Sequence, residues 1–564
     1  MATVSAGLFA LALVLPNHAP PWMSFLQETL AACAWAFLAV GVLGTRRDRV
    51  AWRLPEAVIT GLLLVVLVQF ALGHIATLQT AWMNALYLAG LLLAMQTGSA
   101  LERRAPGLAA ACVLLAMLIA GLLSVWLQVY QWHLLAGAAG DSIWVYRPMV
   151  GRLPANLGQP NLLATVFMIA LLAVYGLWRT RRWPAAVTPA LALTLMAGMA
   201  MTQSRTGLLN FWMASAVLTA WHWHNRALRW AFPGFAAALL MFFAGYLLFG
   251  QPVVGQADND ANAARLGAGT RLLAWPLLAG AALERPVFGY GWGQTFAAQL
   301  AAAPDYPSTG EIYLSAHNLP LDLALWNGLP VALVVIGCWV WWLVAAWRRA
   351  EDDGARVMLL IVGVLLVHAL TEYPLSFTYF LLPLGLMVGA LGQRVGLKTL
   401  WRGPRWPALI LLAAVLVGVA LTVRDYLRVE HSYRQLLFEK ARILVGDDRA
   451  PPETLVLTSL RDLIAYARIE PEPGMPDAQL KWMKQVMHAH PGAHGFAKLA
   501  KALALNHRAG EAQHWVDQLC RVFLTAHCLE QAEAWARWAG HAPALRLVRW
   551  PEPDERPAAA TLGG

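Results

Sequence analysis

The chain has 564 residues, of which 59% are hydrophobic and only 13% charged, against the roughly 25% charged residues of soluble domains. Its mean hydropathy of +0.52 excludes an ordinary soluble fold. The net charge of +10 does not mark a nucleic-acid binder, because most arginines sit in short loops between apolar runs, where they set membrane orientation.

The apolar runs predict about thirteen membrane segments, each long enough or nearly so for the ~20 residues a spanning helix needs. They lie near 3–16, 24–44, 56–74, 79–98, 107–130, 161–178, 185–203, 206–222, 229–250, 317–347, 355–372, 376–393 and 406–423. The first, lacking a basic flank and a small-residue cleavage site, is expected to be a membrane helix rather than a cleaved signal. The run 317–347 is too long for one simple span, and Pro320 and Asn327-Gly328-Leu329-Pro330 are expected to break or tilt it. The 27 tryptophans suit lipid–water interfaces.

Basic clusters follow every even-numbered segment: Arg46 and Arg47, Arg103 and Arg104, Arg181 and Arg182, Arg226 and Arg229, Arg348 and Arg349, then Arg394 and Lys398. Those loops are expected to be cytoplasmic, as is the N-terminus. The opposite loops, and everything after about Arg424, then face the periplasm of a bacterial inner membrane. The expected fold is all-α and polytopic. N-terminal membrane helices occupy 1–140, a membrane region with a long periplasmic loop (251–316) occupies 141–395, and a last helix occupies 396–423. A C-terminal helical periplasmic domain occupies 424–564, and its final residues from Pro551 are read as disordered. The thiols Cys33, Cys112 and Cys338 lie in apolar runs and read as inert core residues. Cys520 and Cys528 lie in the polar tail, where a disulfide in an oxidising compartment and two buried thiols are both open.

Two arginines break the charge pattern. Arg205 stands in Gln203-Ser204-Arg205-Thr206, where two segments meet on the periplasmic side, and Arg271 stands in the long loop. One reading is an ion pair with a nearby carboxylate. The other is a pair of cations for a phosphate or pyrophosphate, whose oxygens a guanidinium binds in bidentate fashion. His317, in Ser315-Ala316-His317-Asn318, stands where that loop returns to the membrane. It reads either as a helix-cap residue or as a proton acceptor near neutral pH. Gly158-Gln159-Pro160-Asn161, Glu372-Tyr373-Pro374 and Asn17-His18-Ala19-Pro20-Pro21-Trp22 map to the same face. Arg265, Arg147 and Arg152 are left open as further pyrophosphate ligands. The sequence has no Walker loop, dinucleotide fingerprint, nucleophile elbow or Cys/His metal spacing.

Taken in order, these motifs, with Phe288-Gly289-Tyr290-Gly291-Trp292-Gly293, resemble the O-antigen ligase and polymerase superfamily. The N-terminal Asn17–Trp22 stretch and the long tail resemble its pilin-glycosylating branch, the bacterial protein O-oligosaccharyltransferases of the PglL type. The resemblance implies transfer of a preassembled glycan from undecaprenyl pyrophosphate to a Ser or Thr hydroxyl of a pilin-like protein. It implies inversion at the anomeric carbon, and neither cofactor nor metal. By the same resemblance, Arg205 and Arg271 stabilise the leaving pyrophosphate and His317 accepts or positions the hydroxyl proton. Gln159, Asn161, Asn318, Glu372, Tyr373 and Arg265 are expected to hold donor or acceptor. The alternatives are an O-antigen ligase acting on lipid A–core, a polymerase, a lipid-linked glycan transporter and a non-catalytic assembly protein. A transporter is expected to gather its polar groups mid-membrane, whereas here they gather at one face.

Overall fold

The computed structural model describes residues 1–16, 20–44, 49–148, 151–179, 186–250, 269–443 and 450–551. Among them the protein is helical throughout, apart from one two-stranded antiparallel ladder of β1 (Val50–Trp52) and β2 (Trp401–Gly403). The helices in the first part of the chain are α1 (Ala2–Val14), α2 (Phe25–Leu43), α3 (Leu54–Ala71), α4 (Leu78–Arg104), α5 (Leu108–Leu135), α6 (Pro160–Arg179), α7 (Val187–Met201), α8 (Arg205–Trp221) and α9 (Arg226–Gly245). The central helices are α10 (Gly269–Glu284), α11 (Thr295–Ala302), α12 (Leu319–Asn327), α13 (Leu329–Arg349), α14 (Asp353–Ala369), α15 (Thr378–Arg394) and α16 (Trp406–Lys440). Five more follow: α17 (Thr458–Arg468), α18 (Asp477–Ala489), α19 (Ala493–Leu505), α20 (Ala509–Val522) and α21 (Thr525–His541).

Each of the thirteen apolar runs falls on helical structure, the run 317–347 on two helices. Among the described residues, seven helices are long and apolar enough to cross a bilayer: α2, α3, α4, α5, α6, α13 and α16. The long run 317–347 divides as its Gly-Pro stretch suggests. Gly328, at φ +79, ends α12, and Leu329-Pro330 begin α13, because Pro is tolerated in the first turn where its missing N–H has no partner to lose. At nine residues, α12 is about 14 Å long and too short to cross. α16 runs 35 residues, about 50 Å, well past Arg424.

The molecule divides into two units. The first comprises Met1–Leu62, Leu86–Asn262 and Gly337–Val419. Its interior is built on α6, α14 and α15, where Phe167, Ile361 and Met387 are fully buried. α4 and α15 approach through small residues: a side chain at Gly389 would collide with the carbonyl of Met95. In lipid, where apolar burial between helices gains little, such close backbone packing holds helices together. Large apolar side chains on other helices of this unit point outward, including Phe37, Leu115, Trp341 and Ile410, as lipid-facing surfaces do. The same logic corrects one expectation. Cys112 is buried, but Cys33 is exposed and Cys338 half-exposed, because an apolar helix in a bilayer buries only one face in protein.

The second unit comprises Leu63–Ala85, Ala263–Ile336 and Ala420–Gly564. Its core joins α17–α21 to α11, so part of the 251–316 loop packs with the tail. Phe296 of α11 meets Phe496 edge-on at 6.3 Å, and Phe496 meets Trp515 at 4.7 Å. Cys520 and Cys528 form a disulfide that links α20 to α21.

Candidate active site

Two clusters hold the residues singled out in the sequence, one in each unit. In the first unit the chain enters α6 through Gln159, whose Oε1 accepts from the Leu162 N–H at 2.7 Å and caps the helix. That cap fixes Asn161 one residue into α6. Asn161 Nδ2 donates to Glu372 Oε1 at 2.8 Å, while its Oδ1 accepts from Ser204 Oγ at 2.8 Å and Arg152 Nη2 at 3.2 Å. Ser204 is also the N-cap of α8, accepting from the Gly207 N–H at 3.0 Å. Arg205 follows as the first helical residue and is exposed. Its neighbour Thr206 shares a hydroxyl hydrogen bond of 3.1 Å with Thr371, beside Glu372. The turn before this cap places Gln203 in the left-handed region, at φ +51, a conformation costing about 1–3 kcal/mol in a non-glycine residue. Thus Asn161, Ser204, Arg152 and Glu372 share one hydrogen-bonded framework, with Gln159 and Arg205 close in sequence to its members, and Tyr373 follows Glu372 half-buried, its ring 5.9 Å from Phe377.

In the second unit, Arg271 lies in the first turn of α10. Trp275, one turn on and on the same face, donates Nε1 to the Ala316 carbonyl at 2.9 Å. The residue before His317 is thereby tied to the helix that carries Arg271. His317 is half-buried, at φ +52, with its ring edge-on to Tyr313 at 6.5 Å. Asn318 caps α12, its Oδ1 accepting from the Leu321 N–H at 3.1 Å.

The glycine-rich stretch braces the far end of α12. The Tyr290 N–H donates to the Leu325 carbonyl at 2.7 Å, and Gln69 joins the Trp292 N–H (2.9 Å) to the Trp326 carbonyl (2.9 Å). Between these ends lies a residue that the sequence reading missed. Asp322 is 3% exposed; its Oδ1 accepts from the Ala316 N–H (2.8 Å) and Thr295 Oγ1 (3.1 Å), and its Oδ2 from Ser315 Oγ (2.6 Å).

Arg152, left open by the sequence, joins the Asn161 framework and also donates to the Thr202 carbonyl at 3.2 Å. Arg147 instead pairs with Asp141 on an exposed surface. Arg265 and the Asn17-His18-Ala19 stretch lie outside the described residues. Glu28 was also missed, though it is an isolated acid in an apolar run. It is 4% exposed and receives Trp22 Nε1 at 3.0 Å, Ser24 Oγ at 2.6 Å and the Tyr87 hydroxyl. An apolar cavity of about 220 Å³ among α6, α7, α8 and α9 is lined by Met168, Tyr175, Met196, Phe211 and Phe232, and contains none of the residues singled out above.

Residues 189–336 match the family described as O-antigen ligase, and residues 357–537 match the C-terminal part of virulence-factor membrane-bound polymerases. The chain is 27% identical to a general O-oligosaccharyltransferase of Acinetobacter baylyi over 94% of both proteins. It is 31% identical to a ComP-specific O-oligosaccharyltransferase of the same organism, over 42% of this chain and 44% of that one. The chain is a membrane glycosyltransferase, similar in sequence to O-antigen ligases and O-oligosaccharyltransferases.

Proposed function

We propose that this enzyme moves a preassembled glycan from undecaprenyl pyrophosphate to Ser or Thr hydroxyls of a pilin-like periplasmic protein. The observation that carries this reading is the similarity to a general O-oligosaccharyltransferase along 94% of both chains, tail included. The thirteen segments then all cross the inner membrane, with the N-terminus cytoplasmic and the tail periplasmic. The Cys520–Cys528 disulfide supports a periplasmic tail, since such bonds persist in oxidising compartments.

In this reading Arg205 and Arg271 hold the pyrophosphate and offset the charge that develops on it as the glycosidic bond breaks, without a metal or cofactor. The N-terminus of α8 beside Arg205 adds a favourable dipole for an anion. His317 accepts the proton of the attacking hydroxyl, which approaches opposite the leaving group and inverts the anomeric carbon. Gln159, Asn161, Asn318, Glu372, Tyr373 and Arg265 position donor or acceptor. The match of residues 189–336 to the O-antigen ligase family supports a second reading, with lipid A–core as acceptor and the same chemistry.

The test is reconstituted transfer from an undecaprenyl-pyrophosphate glycan to a pilin or to lipid A–core, with His317→Ala beside the wild type. Pilin glycosylation that the variant loses supports the first reading. Transfer to lipid A–core alone moves the assignment to the second, and no transfer to either overturns both.

A further inference from the structure

We propose that Asp322 is a positioning residue for this transfer, acting through the backbone of Ser315–His317 to hold His317 in its reactive place. The inference rests on the reading of His317 given above.

His317 occupies the left-handed backbone region, which a non-glycine residue adopts at a cost of about 1–3 kcal/mol unless its surroundings impose it. The restraints are visible. Asp322 receives the Ala316 N–H with one oxygen and the Ser315 hydroxyl with the other. The same Ser315 Oγ accepts the His317 N–H at 3.1 Å. The carboxylate thus binds the residue before His317 directly and His317 itself through one hydroxyl. Its own position is fixed from a third direction: Thr295 Oγ1 donates to Oδ1 and accepts from Trp326 Nε1 at 2.8 Å. On the opposite side of the Ala316 peptide, Trp275 holds the carbonyl. Both backbone polar groups of Ala316, the residue before His317, are therefore held, the N–H by α12 and the carbonyl by the helix that carries Arg271. A helix-capping role does not account for Asp322. Asn318 already caps α12, and the Asp322 oxygens point away from the helix to the preceding loop. Holding a reactive group within a few tenths of an ångström through such supporting contacts is what a preorganised site requires.

The full-length protein, reconstituted with an undecaprenyl-pyrophosphate glycan and its acceptor, tests this. Rates are compared for wild type, Asp322→Ala, Asp322→Asn, His317→Ala and the double Ala variant. Asp322→Ala is expected to lower kcat by roughly 30-fold with KM for the donor within about threefold. Asp322→Asn, whose amide oxygen still accepts from Ala316, is expected to recover to within about tenfold of wild type. The double variant is expected to be no slower than His317→Ala, because Asp322 has no route to the reaction except through His317. Losses that multiply in the double variant, or an Asp322→Ala rate equal to wild type, overturn the proposal.

Should Asp322→Ala fail to fold, Ser315→Ala removes the link to His317 and leaves the other bonds of Asp322 intact. A KM-neutral fall of about fivefold or more supports the proposal, and an unchanged rate overturns it. If His317→Ala transfers as fast as wild type, the role given to His317 fails and this proposal falls with it. If lipid A–core proves to be the acceptor, the same set of variants is run with it, and Asp322 is judged independently of the acceptor.

Discussion

Asn161 Nδ2 donates to Glu372 Oε1 at 2.8 Å, joining the first turn of α6 to the end of α14 across 211 residues of sequence. The same side chain receives Ser204 and Arg152 on its carbonyl oxygen, so one amide ties together three of the motifs that the sequence marks as separate. Asn161 serves because it presents a donor and an acceptor on one short, rigid stem.

That polarity predicts the effect of a one-atom change. In Asn161→Asp, the donor facing Glu372 becomes a second carboxylate oxygen, and two like charges meet in a half-buried site. Transfer is expected to fall by roughly tenfold or more, with a loss of about 1–3 kcal/mol in stability. Glu372→Gln keeps an oxygen that accepts from Asn161 and is expected to stay within about threefold of wild type. Transfer rates and thermal unfolding of the purified variants check both. Equal loss in the two variants would show that the charge of Glu372, not this hydrogen bond, is what matters.

The glycine-rich stretch makes a different kind of prediction. Gly289 adopts φ +66, and a Cβ there would stand 2.9 Å from the amide nitrogens of Asn327 and Gly328, and closer still to the Leu325 carbonyl. These neighbours are backbone and cannot turn aside. Gly289→Ala is expected to displace the end of α12 and cost about 3 kcal/mol or more. The measurement is the yield and melting temperature of the detergent-purified protein. A wild-type melting temperature would mean that the turn yields without disturbing α12.

Much of this architecture is legible in the sequence, and the reason is physical. Long apolar runs become helices in lipid because only there can the backbone satisfy its own polar groups, so the runs locate helices, including shorter ones such as α1 and α7. Local signals also survive: Asn318 and Ser204 cap α12 and α8, and Gly328 ends α12. What escapes is whatever distant chain supplies. Asp322 reads as an ordinary acid in the first turn of a helix, since nothing local says that its oxygens turn back to Ser315 and Ala316. The packing of α11 with the tail depends on Phe296 meeting Phe496, which no periodicity encodes. Cys33 reads as buried because hydropathy does not distinguish lipid from protein as its neighbour.

The tail offers a prediction independent of catalysis. Cys520 and Cys528 close a short loop with a sequence separation of 8, for which chain-entropy arguments give about 2.5 kcal/mol of stabilisation. Reduction, or Cys520→Ala with Cys528→Ala, is expected to lower the stability of the α17–α21 helices by about that amount. Protein purified without reductant should incorporate two more thiol-reactive groups per chain after unfolding with reductant than after unfolding alone. Equal labelling would place both cysteines in the thiol form.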